Sequence, residues 1–271
     1  MKTVHADLAL ARRLEGNDAR ANREAVLAAA RRRPESGAAA EAFLGGWAMY
    51  DGPQSPLTQC FGMGLNGAAE DREMEALEEF YKRRGVACNI ELCAHADASL
   101  VALLGRRGYR PLEFSNVLAR TMPPGPLPPQ PPGLEVRRVT PPEMPLYARV
   151  IGEGFFGPVK PPGLESFFSG AFGEMAGGHS YMAWVGGEAA GGGSMSLFDG
   201  VLNCFGDGTI EAYRGRGIQS AVIAVRLAAG VAAGAELAMA TTMPGTVSQR
   251  NYERFGFRVA YSRCKFTRDL V

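Results

Sequence analysis

The stretch Thr209-Ile-Glu-Ala-Tyr-Arg-Gly-Arg-Gly-Ile-Gln-Ser220 decides how this chain is interpreted. It lies where a strand-like segment gives way to a helix whose apolar residues fall on one face. Gly215 and Gly217 allow the backbone to turn tightly and to approach a ligand closely. Free N–H groups at the start of the helix point outward with the positive end of its dipole. Because Arg214 and Arg216 add positive charge, the stretch predicts an anion site that suits a pyrophosphate.

Other interpretations of these glycines differ in what they require. A surface turn ahead of a core helix needs nothing more than the glycines themselves. A Walker loop needs a Lys-Ser or Lys-Thr pair after its last glycine, and the stretch has no lysine. A dinucleotide-binding loop needs a third glycine, but Ser220 stands at that position. The choice is therefore between a simple turn and an anion site.

A second motif, Tyr252-Glu-Arg-Phe-Gly-Phe257, precedes the last predicted strand. Together the two motifs resemble those of the GNAT superfamily of acyl-CoA-dependent N-acetyltransferases. The loop of that family reads Q/R-x-x-G-x-G/A, and its second signature ends in Tyr-Glu-x-x-Gly-Phe. Arg214 and Gly217 match the loop, whereas Gln219 stands where the family has a small residue.

The resemblance implies a role for each motif. The loop is expected to hold the pyrophosphate of acetyl-CoA, and Tyr252 is expected to protonate the departing CoA thiolate. The asparagine that often contacts the pantetheine arm is Gly245 here, so Asn251, Ser248 or backbone groups take over. The predicted cofactor-binding residues are Thr209, Ile210, Glu211, Arg214, Gly215, Arg216, Gly217, Ile218, Gln219, Ser220 and Asn251.

Acyl transfer from a thioester mainly requires positioning of the two partners, a donor for the oxyanion and a proton for the leaving thiolate. Backbone groups around 209–211, where the strand is expected to leave its neighbour, are the predicted oxyanion donors. Tyr252 is either the acid or an aromatic residue packed on the sheet. The general base stays open: Asp207 and Glu211 also suit solvated or turn positions, and a water chain or a neutral amine needs neither.

The sequence predicts an internal duplication at an offset of 148 residues (256 − 108), the alternative being two chance Arg-x-Gly-aromatic matches. Residues 106–110 and 254–258 share the pattern Arg-x-Gly-aromatic-Arg, and the predicted elements before them keep the same register. At this offset the loop 214–219 corresponds to Asn-Gly-Ala-Ala-Glu-Asp at 66–71, which lacks both arginines. Because carboxylates repel a polyphosphate, the first copy is predicted not to bind CoA.

A proline-rich run separates the two copies and is predicted to be an extended spacer. The predicted domains are a degenerate GNAT-like domain at 1–120, a linker at 121–133 and an acetyl-CoA-binding GNAT domain at 134–271. The predicted fold class is α/β, of the α+β kind, with two tandem GNAT-like domains. Each is expected to be a mixed, largely antiparallel twisted sheet flanked by helices. Helices are expected, among other places, at 7–33, 142–151, 163–172 and 216–229.

Composition limits the partners of this 271-residue chain. With 29 Lys+Arg against 28 Asp+Glu, the net charge of +1 gives no field for nucleic acid or an anionic membrane. Three dispersed histidines and five cysteines without CxxC spacing predict no metal site and reduced thiols. No apolar run approaches the roughly 20 residues of a membrane span, and no signal peptide is recognisable. A cytoplasmic protein is expected.

The sequence thus predicts an N-acyltransferase that moves an acetyl group from acetyl-CoA to a primary amine. The acceptor is an unidentified small molecule or peptide, and the protein acts as a monomer or homodimer without a metal. The alternative is a non-catalytic acyl-CoA sensor or scaffold, which keeps the nucleotide site but has lost turnover.

Overall fold

The computed structural model describes residues 5–123, 125–157 and 175–270. The helices are α1 (Leu8–Arg32), α2 (Asp71–Lys82), α3 (Ala98–Arg106), α4 (Met144–Phe156), α5 (Ile218–Ala232) and α6 (Val247–Arg254). The strands are β1 (Ala39–Phe43), β2 (Gly46–Tyr50), β3 (Cys60–Phe61), β4 (Cys88–Cys93), β5 (Arg110–Thr121), β6 (Leu134–Arg138), β7 (Gly178–Val185), β8 (Glu188–Phe198), β9 (Val201–Thr209), β10 (Leu237–Thr242) and β11 (Arg258–Arg268). The predicted helix at 163–172 lies outside the described residues.

The chain divides into two compact units. The C-terminal unit is Leu118–Arg258, and the N-terminal unit is His5–Val117 together with the residues from Val259 onward. The last strand therefore belongs with the first half of the chain, whereas the predicted domain 134–271 includes it. The reason is strand pairing, because β11 runs antiparallel to β4 over six residue pairs, from Arg263↔Cys93 to Arg268↔Cys88.

In the N-terminal unit the strands follow the order β1-β2-β3-β4-β11, with the first part of β5 next to β11. Helix α2 is amphipathic, since its buried residues Met74, Leu77, Phe80 and Tyr81 recur at helical spacing. They join one apolar core with residues of α3 and the strands. This unit is a mixed sheet flanked by helices, as predicted.

In the C-terminal unit the strands follow the order β10-β9-β8-β7-β6, with the end of β5 next to β10. The pairs β6–β7, β7–β8 and β8–β9 are antiparallel, and β9–β10 is parallel. Helix α5 is apolar on the face it buries, where Val222, Ile223 and Leu227 are fully covered. The predicted mixed, largely antiparallel sheet is confirmed in this unit as well.

The proline-rich segment packs on the C-terminal unit rather than standing away from it as a spacer. Leu127 contacts the core cluster of this unit. Pro131 lies so close to Gly217 that a Cβ on the glycine would be 3.2 Å from the Pro131 Cγ. Apolar ring surface removed from water in this way favours the packed arrangement.

The duplication is visible in the element bounds. Helices α5 and α6 and strands β10 and β11 each start within one residue of the position 148 residues after α2, α3, β4 and β5, respectively. The two units thus share one succession of helix, strand, helix and strand. No helix of the described part of the chain is long and apolar enough to cross a membrane.

Candidate functional site

Strands β9 and β10 diverge in the C-terminal unit. Their parallel pairing covers Val201–Cys204 and Leu237–Ala240 and then stops, although β9 continues to Thr209. The divergence thus begins earlier than the position near Thr209 that the sequence suggested. The cause is a bulge, because two residues of β9, Gly206 and Asp207, stand opposite the single residue Gly193 of β8. A bulge bends its strand and increases the local twist.

The loop before α5 has the backbone that its glycines permit. Gly215 has φ of 76° and Gly217 has φ of 78°, in the left-handed region that glycine adopts without steric cost. Gly217 is the N-cap of α5, and no described side chain caps this helix. The first N–H groups of α5 therefore remain available to an anion, with the helix dipole behind them.

The two arginines of the loop differ in their surroundings. Arg214 donates Nε to the Thr209 carbonyl at 3.4 Å and Nη2 to the Gly154 carbonyl at 3.3 Å. It thereby ties the last turn of α4 to the end of β9. Arg216 is exposed, and its guanidinium lies 5.3 Å from the centre of the Tyr213 ring.

A cleft of about 670 Å³ opens between β9, the loop and helix α6. It is lined by Gly154, Asp207, Thr209, Tyr213, Arg214, Gly215, Gly217, Ile218, Gln219, Ser220, Val247, Ser248, Asn251 and Arg254. Most of the predicted cofactor-binding residues are among them. The predicted residues outside this lining are Ile210, Glu211, Arg216 and Tyr252. The Ile210 N–H, one of the expected oxyanion donors, instead donates to the Ala190 carbonyl at 3.0 Å.

One wall of the cleft is a polar cluster that joins β9, α5 and α6. The Gln219 Nε2 donates to the Asp207 Oδ2 at 3.1 Å and to the Ser248 Oγ at 2.9 Å. The Gln219 Oε1 accepts from the Asn251 Nδ2 at 2.7 Å. The predicted residues Gln219 and Asn251 thus meet directly, through contacts that no sequence motif specifies.

Behind this wall lies a buried network built on Arg226 of α5. Its Nη2 is 2.6 Å from the Asp207 Oδ1 and donates to the Tyr252 Oη at 3.0 Å. Its Nη1 donates to the backbone carbonyls of Ser194 and Phe205, which flank the bulge. The side chain is fully buried, and burial alone would lower its pKa. The Asp207 carboxylate, together with neighbouring Tyr252, Cys204 and Tyr147, opposes burial and leaves the pKa of Arg226 raised, so the guanidinium stays charged.

Tyr252, the predicted acid, is 2% exposed. Its hydroxyl donates to the Asp207 Oδ2 at 2.7 Å, and its ring packs edge-on against Phe257. Burial raises the pKa of Tyr252 well above its usual value, which keeps the hydroxyl protonated at neutral pH. Asp207 lines the cleft, so Tyr252 meets the cleft through this carboxylate.

Glycines outside the loop make room for this arrangement. A Cβ on Gly193 would be 2.4 Å from the Asp207 Oδ1 and 2.9 Å from the Arg226 Nη1. A Cβ on Gly154 of α4 would be 2.6 Å from the backbone nitrogen of Thr209. Sequence reasoning missed Arg226 and both glycines. The run of three glycines at 191–193 was a usable signal, since glycine inside a strand marks a bulge or a close approach.

Comparisons with known proteins agree with this geometry. The family model described as "Acetyltransferase (GNAT) family" matches residues 150–257. No match is found among the curated proteins. Among solved structures, a GCN5-related N-acetyltransferase from Kribbella flavida is similar with a TM-score of 0.64 and 18% identity, covering 90% of this chain and 94% of the other.

Two further solved structures share the fold. A GCN5-related N-acetyltransferase from Sphaerobacter thermophilus has a TM-score of 0.57 and 21% identity, covering 78% of this chain and 72% of the other. A tandem GNAT protein from the clavulanic acid biosynthesis pathway has a TM-score of 0.59 and 14% identity, covering 79% and 75%. At these identities the likeness concerns the fold alone. Residues 150–257 of this chain, which hold the divergent strands, the glycine loop and the polar cleft, match the model of the acetyltransferase (GNAT) family.

Proposed function

We propose that the C-terminal unit is an N-acetyltransferase that transfers the acetyl group of acetyl-CoA to a primary amine of a small molecule or peptide. The observation that carries this proposal is the divergence of β9 from β10 beside the uncapped start of α5, in one cleft. A helix N-terminus attracts a pyrophosphate, and a gap between strands accepts an extended arm. We propose a cytoplasmic location, which reduced thiols suit: the five cysteines are free.

We propose that the backbone N–H groups of the loop and of the first turn of α5 hold the pyrophosphate. Arg216, which is exposed at the edge of the loop, would add charge-assisted hydrogen bonds. Arg214 has a second task in this proposal, because its contact with the Gly154 carbonyl holds α4 next to the cleft. Asn251 and Ser248, which line the cleft on α6, are the proposed partners of the pantetheine arm.

In the proposed reaction the amine nitrogen attacks the thioester carbonyl carbon, and the C–S bond breaks as the amide forms. The amine gives up one proton, and the departing thiolate gains one. Oxyanion donors would come from the edge of β9 beyond Cys204, where pairing with β10 has ended. Tyr252 is the proposed source of this proton: its hydroxyl accepts from Arg226 and donates to the Asp207 Oδ2, so the proton would reach the thiolate through the Asp207 carboxylate, which lines the cleft.

Two measurements test this function. Calorimetry should detect binding of acetyl-CoA, and release of free CoA thiol should follow when a panel of primary amines is added. Binding without thiol release from any amine class would favour the sensor over the enzyme. If acetyl-CoA, CoA and 3′-phosphoadenosine 5′-diphosphate all fail to bind, both readings are wrong.

A further inference from the structure

The side-chain amide of Gln219 lies in the wall of the cleft and is hydrogen-bonded at both ends. The residue stands where the family loop has a small side chain, and its amide lines the cleft. The amide uses both ends: Nε2 donates to Asp207 and Ser248 at 3.1 and 2.9 Å, and Oε1 accepts from Asn251 at 2.7 Å. Gln219 is the second residue of α5, so its backbone is fixed by the helix while its side chain is held only by these three hydrogen bonds.

The orientation of this amide follows from its partners. The Asp207 carboxylate already accepts from the Tyr252 hydroxyl and pairs with Arg226, so the Nε2 end must face it. The Asn251 Nδ2 donates, so the Oε1 end must face α6. Asp207 and Ser248 therefore offer two hydrogen-bond acceptors and Asn251 offers one donor, and the three are spaced so that a single amide group reaches them all.

We propose that Gln219 occupies a subsite for an amide of the pantetheine arm and competes with acyl-CoA for it. This inference rests on the proposed function. The pantetheine arm carries two secondary amides, each with one N–H and one carbonyl. In the bound state an arm N–H would donate to Asp207 or Ser248, and an arm carbonyl would accept from Asn251. Gln219 rotates away when the arm enters, so its lost hydrogen bonds lower the affinity for acyl-CoA.

The test compares two nucleotides on three proteins. Acetyl-CoA and 3′-phosphoadenosine 5′-diphosphate, which has the pyrophosphate but no pantetheine, are titrated calorimetrically into wild type, Gln219→Ala and Gln249→Ala. Gln249 is the matched control: it bonds to the Gly245 N–H and to Glu253 within and beside α6 and is not among the cleft-lining residues. A thermal melt establishes that each variant folds, and Gln219→Ser replaces the alanine variant if that one does not.

We expect Gln219→Ala to lower the Kd for acetyl-CoA about fivefold, the ratio that one net hydrogen bond contributes. The Kd for 3′-phosphoadenosine 5′-diphosphate should stay within about twofold, and Gln249→Ala should change neither value. Binding of acetyl-CoA by Gln219→Ala but not by wild type would support the same conclusion more strongly.

Three results would overturn the inference. An unchanged or raised Kd for acetyl-CoA in Gln219→Ala, with binding by wild type intact, makes Gln219 a ligand contact or a structural residue and leaves the proposed function standing. An equal decrease in the Kd for both nucleotides would assign the effect to the pyrophosphate loop instead of an amide subsite. If no protein binds either nucleotide, the proposed function fails first, and the inference fails with it.

Discussion

Helices α6 and α3 occupy corresponding places in the two units, yet they present opposite chemistry. In α6, Ser248 and Asn251 line the cleft, and Tyr252 bonds to Asp207. The residues 148 positions earlier, in α3, are Leu100, Leu103 and Leu104. All three leucines are buried in the apolar core of the N-terminal unit. Two helices at corresponding positions thus line a polar cleft in one unit and fill an apolar core in the other.

The helices that follow the corresponding loops differ in the same sense. Among the described residues no side chain caps the start of α5 at Gly217, so its first N–H groups receive no capping hydrogen bond. Helix α2 starts with a capping box, in which the Glu70 N–H donates to the Glu73 Oε2 at 3.1 Å while the Glu70 side chain accepts in return. Carboxylates of the chain itself thus take the place of an anion in the N-terminal unit.

Each unit also contains a buried arginine, but only one of them supports the cleft. Arg263 of β11 pairs with Glu15 and Asp18 of α1, both at 2.7 Å. Burial raises the pKa of Glu15, although Arg263 opposes this effect. In the C-terminal unit Arg226 pairs with Asp207, whose carboxylate also lines the cleft. Only this second pair therefore includes a cleft-lining residue.

The largest expected effect comes from breaking these ion pairs. Arg226→Met and Arg263→Met should each lower the free energy of unfolding by about 3–5 kcal/mol, because a buried carboxylate loses its partner. Urea unfolding followed by circular dichroism measures both changes. Only Arg226→Met should also weaken acetyl-CoA binding, since Asp207 lines the cleft. Equal loss of binding in Arg263→Met would contradict the division of roles, and Arg226→Lys serves if the methionine variant does not fold.

The next effect concerns charge at the loop. The double variant Arg214→Glu and Arg216→Glu should raise the Kd for acetyl-CoA at least about 100-fold, because two cations near the pyrophosphate become anions. Calorimetry measures it. Arg72→Glu at the start of α2 is the control, since that side chain is 82% exposed and belongs to the copy without the loop. Unchanged affinity in the double variant would refute the anion site.

A smaller effect should follow when the polar cleft residues of α6 are replaced by leucine, the residue found at the corresponding positions of α3. Ser248→Leu with Asn251→Leu should raise the Kd for acetyl-CoA about thirtyfold through the loss of two polar partners and the bulk added to the cleft. Affinity for 3′-phosphoadenosine 5′-diphosphate should not change. The reverse variant, Leu103→Asn, should lower the melting temperature and create no nucleotide site, because it buries an amide without partners. Wild-type affinity in the double variant would show that α6 is not part of the site.

The smallest expected effect is that of one hydroxyl group. Tyr252→Phe should lower kcat by about tenfold while the Kd for acetyl-CoA stays within about twofold, because the hydroxyl lies behind Asp207 and outside the cleft lining. Steady-state kinetics and calorimetry on the same preparation separate the two quantities. An unaltered kcat would remove Tyr252 from the reaction.

Much of the architecture was predictable because it rests on local patterns. The glycine loop before an apolar helix indicated the start of α5, and the repeated Arg-x-Gly-aromatic-Arg pattern fixed the register of the duplication. Most predicted cofactor-binding residues do line the cleft. The sequence did not predict that the last strand, β11, belongs to the N-terminal unit, because its pairing with β4 joins residues that are far apart in sequence.

The resemblance to the family, the mixed sheet and the glycine loop ahead of α5 could be predicted from the amino-acid order, since glycine conformation, helix dipole and hydrophobic period are all properties of short segments. The polar wall of the cleft depends on folding. A bulge in β9 turns Asp207 toward Arg226 and Tyr252, and this requires three elements to meet at once. Burial then raises the pKa of the Tyr252 hydroxyl, and burial is a property of the folded chain rather than of any segment.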